Sequence, residues 1–263
     1  MTVEVCVLAS GSSGNCTLVR SGDDALLVDA GLSAKEIVRR LAEAGTEIGS
    51  VRGICVSHEH SDHTTGLVQM ARGYEIPVYA NRGTIEALSR QPGMPDVPWR
   101  IFSTGHTFAV GGFSVDPFSV PHDAYEPVGF VIACAGARVG VATDMGVVTS
   151  VIRARLKDCR AVVIESNHDE KLLRDAKRPE FLKQRIMGRQ GHLSNRAAAD
   201  LLADIAGPHL HAAFLAHLSE DCNRIELALR AARQGLERAG MTHVALEMTY
   251  ADRISAVWKL PVA

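Results

Sequence analysis

The chain has 263 residues, of which 46% are hydrophobic and 22% are charged, and its formal net charge is −2. This length fits one large domain or two small ones with a substantial buried core. The slightly acidic total lacks the overall basic excess of a typical nucleic-acid-binding domain. No apolar run reaches the roughly 18 residues of a membrane helix, which predicts no membrane association.

The N-terminal residues and the cysteines indicate the compartment. Residues 1–6 lack the basic start and long apolar stretch of a secretory signal, so we expect a cytoplasmic protein. The six cysteines are spread along the chain without a C-x-x-C pair, which predicts buried free thiols rather than a disulfide framework or zinc knuckle.

The first third of the chain predicts short strands at 3–8, 17–20, 25–28 and 54–57, separated by glycine-bearing turns. A helix is predicted over 33–44, because Ser33 suits an N-cap and Gly45 suits the end of the helix. Further elements are expected as a helix at 65–73, a strand at 77–80 and a helix at 83–89.

The rest of the chain repeats this mixture of strands and helices. Strands are predicted at 113–120, 129–133, 138–143, 161–165, 212–216, 244–248 and 254–260, and helices at 195–205 and 223–239. Periodicity alone gives an α/β or α+β class. The recurrence of both element types in both halves favours two packed sheets with helices outside, a four-layered αβ/βα sandwich in a single domain over 1–263.

A cluster of metal-binding side chains follows the predicted strand at 54–57, in the run His58-Glu59-His60-Ser61-Asp62-His63. In an extended segment His58 and His60 point the same way and can bind one ion. Asp62 and His63 lie where the chain turns into a helix and can reach a second ion. Imidazole and carboxylate are the ligands that zinc and similar ions prefer. The alternative is a solvated histidine-rich loop.

Three isolated polar residues add to this cluster. His122, Asp144 and His217 each lie where an apolar strand ends in a loop, which is where binding sites collect in layered α/β proteins. Each alone is a weak indication, but together with the cluster they complete two sets of metal ligands.

These motifs together resemble the metallo-β-lactamase superfamily over most of the chain. The resemblance implies one metal on His58, His60 and His122, a second on Asp62, His63 and His217, and Asp144 bridging the two with a hydroxide that attacks the substrate. Asp62 would also orient the attacking water. Asp29, in the string Leu27-Val28-Asp29-Ala30-Gly31, resembles the first superfamily motif and is expected to support the metal ligands from behind.

Glu165 and His192 indicate which branch of the superfamily the chain resembles. A Glu after the bridging Asp144 and an extra His before the last ligand resemble RNase Z and the β-CASP nucleases, where such a pair is implicated in handling the phosphate or protonating the leaving group. His192 directly precedes a predicted helix, whose N-terminus attracts phosphate, and a histidine can act as general acid. The alternatives are a capping or surface role for His192 and a structural carboxylate for Glu165.

Four short sequence motifs of the chain most resemble those of the YycJ (WalJ-like) family. They are Leu8-Ala9-Ser10-Gly11-Ser12-Ser13-Gly14-Asn15-Cys16, Glu165-Ser166-Asn167-His168-Asp169, Gly191-His192-Leu193-Ser194-Asn195 and Ala216-His217-Leu218-Ser219. The resemblance implies metal-dependent DNA exonuclease or phosphodiesterase action.

Several residues are candidate substrate contacts. The glycine-rich start offers Ser12 and Asn15, where backbone N–H groups can bind phosphate, although a tight hairpin loop explains it equally well. Asn167 and His168 adjoin Glu165. Residues 171–189 carry seven basic side chains against two acidic ones, which suits a polyanionic substrate or, alternatively, a solvated surface.

The competing function is hydrolysis of a small molecule, such as a cyclic phosphodiester, lactone or thioester, with the same metals but without need of Glu165, His192 or the basic segment. A non-hydrolytic scaffold is disfavoured because no ligand is missing. The ligand set suits two divalent ions of zinc, manganese or iron, and the superfamily resemblance is compatible with a homodimer.

Overall fold

The computed structural model describes residues 2–91 and 94–260. Within these ranges the strands are β1 (Val3–Ala9), β2 (Cys16–Ser21), β3 (Asp24–Val28), β4 (Val51–Cys55), β5 (Val78–Ala80), β6 (Trp99–Ile101), β7 (Phe108–Val110), β8 (Phe113–Ser119), β9 (Val128–Cys134), β10 (Ala137–Ala142), β11 (Ala161–Glu165), β12 (Ala212–Ala216), β13 (Ala245–Met248) and β14 (Trp258–Leu260). They form an N-terminal sheet in the order β14-β1-β2-β3-β4-β5-β6 and a C-terminal sheet in the order β13-β12-β11-β10-β9-β8-β7.

Helices alternate with the strands along the chain. They are α1 (Ala34–Glu43), α2 (Ser61–Thr64), α3 (Leu67–Gly73), α4 (Arg82–Leu88), α5 (Ser150–Leu156), α6 (Glu170–Asp175), α7 (Glu180–Met187), α8 (Asn195–Ile205) and α9 (Ile225–Arg238). Two short 3₁₀ turns occur at Ile48–Ser50 and Met94–Asp96.

Three buried clusters define the layers. One lies between the sheets and includes Leu26 of β3 and Phe214 of β12. A second packs the other face of the N-terminal sheet, with Leu27, against Ile37 of α1, and a third packs the C-terminal sheet against Leu202 of α8 and its neighbours. Because side chains alternate along a strand, Leu26 and Leu27 serve different layers. The αβ/βα sandwich is therefore confirmed.

The strand directions bring several strand ends together. In the N-terminal sheet β3 and β4 are parallel, and in the C-terminal sheet β10, β11 and β12 are parallel. β8 runs in the same direction as β10, because each is antiparallel to β9 between them. The loops after these strands thus meet at one edge of the sandwich, where ligands bind in such folds.

The predicted helix at 65–73 was wrong in its start, because the chain forms two helices there. The Asp62 carbonyl accepts the Asn15 N–H at 2.7 Å, and the Gly66 N–H donates to the Ala30 carbonyl at 2.8 Å. The bond from Gly66 to Asp62 that would continue α2 is therefore not made. α2 ends at Thr64 and α3 begins at Leu67.

The predicted strand at 254–260 was too long. The Ser255 hydroxyl accepts the Val7 N–H at 2.9 Å, where a strand would offer a backbone carbonyl, and pairing with β1 begins only at Trp258. Six short elements were not predicted, namely β6, β7, α2, α5, α6 and α7. The free, buried state of all six cysteines is confirmed.

No helix in the described ranges has the length and apolarity that a membrane span requires.

Candidate metal centre

The predicted ligands converge where strands of both sheets end. His58 and His63 follow β4, His122 follows β8, Asp144 follows β10 and His217 follows β12. Three residues at these ends, Asp29 among them, have left-handed backbone, with φ of 64° at Asp29, 55° at Asp144 and 56° at His217. Such conformations are costly for residues other than glycine and concentrate at functional sites.

His58, His60 and His122 form one group of potential ligand atoms. His58 Nε2 lies 3.1 Å from His60 Nδ1, and His122 Nε2 lies 3.4 Å from the same atom. The other ring nitrogens of His58 and His122 contact the Ser57 hydroxyl and the Gly191 carbonyl. Because a carbonyl only accepts, His122 donates from Nδ1 and keeps the Nε2 lone pair for a ligand role.

A second group surrounds Asp144, which is 2% exposed. Asp144 Oδ2 lies 3.2 Å from His63 Nε2, and Asp144 Oδ1 lies 3.0 Å from His217 Nδ1. Asp62 Oδ2 lies 3.4 Å from His63 Nε2 and 3.7 Å from His217 Nε2. His58, His63 and Asp144 also form a three-ligand group, so Asp144 lies between the two predicted sites.

Two buried ligand atoms have no hydrogen-bond partner in the described structure: Asp144 Oδ2 and His217 Nε2. The 3.2 Å contact of Asp144 Oδ2 with His63 does not have hydrogen-bond geometry. Buried polar atoms are normally satisfied, and these two face neighbouring imidazoles and carboxylates. The donor set therefore fits divalent cations of the kind that imidazole and carboxylate bind.

Asp29, which was predicted to support the metal ligands, hydrogen-bonds to His63. Its Oδ2 accepts a hydrogen bond from His63 Nδ1 at 2.8 Å, and Oδ1 accepts the Ser57 N–H at 2.7 Å. The Ser57 hydroxyl also donates to Asp29 Oδ2 at 2.9 Å. This arrangement fixes the His63 ring so that Nε2 points toward Asp144.

Glu165 connects the two histidines of the C-terminal half. Its Oε1 accepts from His192 Nδ1 at 2.7 Å and lies 3.1 Å from His217 Nδ1. Its Oε2 accepts the N–H groups of Met145 and Leu193 at 2.9 and 3.0 Å. The fully buried carboxylate is thus held by backbone groups and at the same time orients two imidazoles.

Electrostatics in the centre favour bound positive charge. Burial opposes ionisation of His63, but Asp144 and Asp29 raise its pKa well above the usual range. Burial likewise opposes ionisation of His217, and Asp144 again raises that pKa. Burial and the nearby His63 instead hold the pKa of His58 well below its usual value. The carboxylates therefore attract positive charge to the side of the centre around Asp144.

A cavity of about 220 Å³, which we call the first cavity, opens beside His192. Its polar lining comprises Ser12, Asp123, Asn167, Arg178, Arg185, His192 and Ser219. Two of the four predicted substrate contacts, Ser12 and Asn167, thus lie together at His192. Asn167 also donates from Nδ2 to the His217 carbonyl at 2.8 Å.

The other two predicted contacts lie elsewhere. The Asn15 amide donates to Asp62 Oδ2 at 3.1 Å and lies 3.1 Å from His63 Nε2, so it positions these two side chains. His168 lines a neighbouring cavity together with His192. Substrate binding by any of the four residues stays a prediction.

Ser57, Asp123 and Ser10 were not singled out by the sequence reasoning. Asp123 Oδ1 lies 3.2 Å from His122 Nε2, and its Oδ2 accepts from Arg185 Nε at 2.8 Å. The Ser10 hydroxyl accepts the His217 N–H at 2.7 Å. Ser57 and Asp123 are direct neighbours of ligands along the chain, which was the signal available for them.

Residues 25–217 match the family model of the beta-lactamase superfamily domain. The chain is also 40% identical over 241 residues to exodeoxyribonuclease YycJ of Bacillus anthracis, a match that covers 91% of each chain. The chain belongs to the metallo-β-lactamase superfamily. Exodeoxyribonuclease WalJ of Streptococcus pneumoniae is 36% identical over 225 residues and 84% of each chain. The predicted resemblance to the superfamily and to its YycJ-like members is confirmed.

A solved structure supports the fold of this superfamily member. The metallo-beta-lactamase fold protein YhfI from Bacillus subtilis aligns with a TM-score of 0.74, covering 98% of this chain and 100% of that chain. At 15% identity this likeness concerns the fold alone.

Proposed function

We propose that the protein is a metal-dependent exodeoxyribonuclease that hydrolyses phosphodiester bonds at the centre around Asp144. The observation that carries this proposal is the pairing of His192 with the buried Glu165 beside the ligand cluster, at the mouth of a cavity that contains Arg178 and Arg185. A carbonyl esterase with the same ligands has no need of that pair or of the arginines. The names of the two relatives, both exodeoxyribonucleases, support the same activity.

Seven side chains would hold two divalent cations: His58, His60, Asp62, His63, His122, Asp144 and His217. When bound, the cations supply Lewis acidity, which lowers the pKa of water and neutralises negative charge on the phosphate. The imidazole and carboxylate set suits zinc, manganese or iron. Asp62 is held by the Asn15 amide, and we assign it the further role of orienting the attacking water.

His192 is placed to protonate the leaving oxygen. Its Nδ1 donates to Glu165, which leaves Nε2 as the nitrogen available to the first cavity. Burial opposes the charged ring, but Glu165 raises the pKa of His192 above its usual value and so favours the proton-bearing form. A general acid of this kind contributes about 10²- to 10⁴-fold to a rate.

Arg178 and Arg185 are placed to bind phosphate oxygens in the first cavity. Arg185 Nε donates to Asp123 at 2.8 Å and Arg178 Nη2 to Asp221 at 2.5 Å, so each guanidinium is already oriented. Guanidinium groups bind phosphate with two parallel hydrogen bonds, which fixes the orientation of the phosphate. Contact through Ser12 and Asn167, a cytoplasmic location and a homodimer remain part of the proposal.

The test is hydrolysis of end-labelled single- and double-stranded DNA by protein reconstituted with manganese or zinc, beside the small diester bis-p-nitrophenyl phosphate. We expect release of nucleotides from one end of the DNA, with the loss of cleavage in Asp62→Ala and its retention in Asp23→Ala, a change at an exposed carboxylate.

Two results would contradict the proposal. Cleavage of the small diester without cleavage of DNA would indicate a small-molecule phosphodiesterase. No cleavage of either, with two metals bound, would exclude the phosphodiester reaction and direct the search to lactones and thioesters.

A further inference from the structure

Two more cavities continue the first cavity across the helices of the C-terminal half. The second cavity, of about 310 Å³, shares His192 with the first and extends to His168, Arg174 and Arg196. The third, of about 390 Å³, shares Arg174 and Arg196 with the second and ends at Arg230 on α9. We call the second and third cavities together the basic groove. Shared lining residues thus link the three cavities from His192, which is hydrogen-bonded to Glu165 of the centre, to α9.

The basic groove has an excess of positive charge. The third cavity contains five cationic side chains against the carboxylates of Asp169 and Glu170, namely Lys171, Arg174, Arg196, Arg230 and Arg238. Glu170 is paired with Arg196 at 2.9 Å, Arg238 is paired with Asp200 at 2.6 Å, and Asp169 caps α6. In the described part of the chain Lys171, Arg174 and Arg230 form no ion pair. Their charges are therefore available to an anionic ligand.

His168 contributes a buried imidazole to the wall of the second cavity. The residue is 2% exposed and lines the second cavity, yet its Nδ1 has no hydrogen-bond partner among the described residues. Buried polar atoms without partners are rare in folded proteins. The imidazole of His168 therefore adds an unsatisfied polar group to the wall of the second cavity.

The cavity on the other side of the centre has the opposite charge. It shares Ser219 with the first cavity, and three carboxylates line it, those of Glu220, Glu226 and Asp252. The cations beside them are Arg224 in the lining and Arg253, which pairs with Asp252 at 3.5 Å. A polyanion leaving the metal centre in that direction would meet net negative charge. Charge complementarity therefore selects the basic groove.

We infer that the basic groove binds the sugar–phosphate backbone of a single DNA strand, which runs from the metal centre past His168 and Arg174 to Arg230. This inference rests on the proposed nuclease function and adds the path of the strand. Cavities of a few hundred Å³ have the size of sites for small ligands. They can hold successive nucleotides of one strand. Positively charged grooves that follow the backbone are a general mode of binding single strands.

The test compares two double variants of equal charge in the metal-reconstituted protein. Arg174→Ala/Arg230→Ala removes charge from the groove, and Arg90→Ala/Arg233→Ala removes the same charge from exposed positions outside it. Binding of fluorescent phosphorothioate strands of about 4 to 16 nucleotides is measured by anisotropy at several salt concentrations. Thermal melting verifies that both variants are folded.

We expect wild-type affinity to increase with strand length and the groove variant to lose that increase, binding the longest strand about tenfold more weakly. Its salt slope should fall by about 1.4, since each phosphate contact to a single strand contributes about 0.7. The control variant should match the wild type. The groove would be refuted if both double variants bound the strands equally weakly, or if neither bound them more weakly than the wild type. Duplex binding is measured in the same way. If the groove variant lost as much affinity for duplex as for single-stranded DNA, the choice of a single strand would be refuted.

The failure of the groove is distinguishable from the failure of the nuclease function. If the wild-type protein hydrolyses DNA but the groove variant binds like the control variant, only the groove is refuted. If the wild-type protein binds single strands through the groove but hydrolyses no DNA, only the nuclease function is refuted.

Discussion

At the scale of single residues, the orientation of the candidate metal ligands depends on a few buried carboxylates. Asp29 uses both oxygens, on the Ser57 N–H and hydroxyl and on His63 Nδ1, while its own backbone is held at a φ of 64°. An acceptor at this point sets the tautomer of His63 and leaves Nε2 unprotonated for a metal.

Asp29→Asn replaces one acceptor oxygen by an NH₂ group, which cannot accept the proton of His63 Nδ1. We expect metal affinity to fall by about 10- to 100-fold while the fold is kept. Competition with a chromophoric chelator measures this affinity. The matched control is Asp23→Asn, a change at an exposed carboxylate, and equal affinities in the two variants would show that Asp29 does not orient a ligand.

The ligand cluster could be predicted from sequence because its members are adjacent in the chain or directly follow apolar strands. The hydrogen bonds that orient the ligands could not be predicted from sequence. Ser57 lies 28 residues from Asp29, and Glu165 lies 27 residues from His192 and 52 from His217. Which carboxylate meets which imidazole depends on strand register and side-chain rotamers, and neither is visible in a local pattern. Glu165 was therefore predicted as a functional residue without its bond to His217.

At the scale of elements, the loop after β3 and the short helix α2 are in direct backbone contact. A Cβ on Gly31 would lie 1.7 Å from the Asp62 carbonyl oxygen and 2.5 Å from the Asn15 nitrogen. The Asn15 N–H donates to the Asp62 carbonyl, and the Gly31 N–H donates to the Asn15 carbonyl. Three chain segments therefore position Asp62 and His63 through one tight junction.

Gly31→Ala forces these segments apart, because the clash is with backbone and no side chain can rotate away. We expect a loss of about 3 kcal/mol or more in the free energy of unfolding, at the upper end of overpacking effects, together with a lower metal content. Urea unfolding and metal analysis measure the two quantities. Gly207→Ala serves as the control, since nothing lies within 4 Å of its added Cβ; similar stability of the two variants would disprove the tight junction.

Elements with strong local signals were predicted well, and short ones were not. The strand at β11, the strand at β12 and the helix α8 have the predicted bounds, because each is a clear apolar or capped segment. β6 and β7 have only three residues each, too few for a period to show. They are strands because a neighbouring strand of the sheet pairs with them. That pairing depends on the tertiary fold and is not visible in the local sequence.

At the scale of the whole molecule, the centre joins the two sheets. His58, His60 and His63 come from the N-terminal sheet, and Asp144 and His217 come from the C-terminal sheet. The inter-sheet apolar cluster lies behind them. Cations held by ligands from both sides would therefore stabilise the packing of the sandwich as well as supply chemistry.

Removal of the metals should consequently destabilise the entire fold. A ligand that binds only the folded state adds RT ln(1 + [L]/Kd), or about 4 kcal/mol at a thousandfold excess over Kd. For a chain of about this size each kcal/mol shifts Tm by about 2–4 °C, so a chelator should lower Tm by roughly 10 °C. Asp144→Asn, which weakens the ligand between the two groups, should show a much smaller response to the chelator. The opposite outcome is a wild-type Tm that does not change although metal analysis proves that the metals are gone. The cations would then bind folded and unfolded chains equally, and the apolar core alone would hold the two halves together.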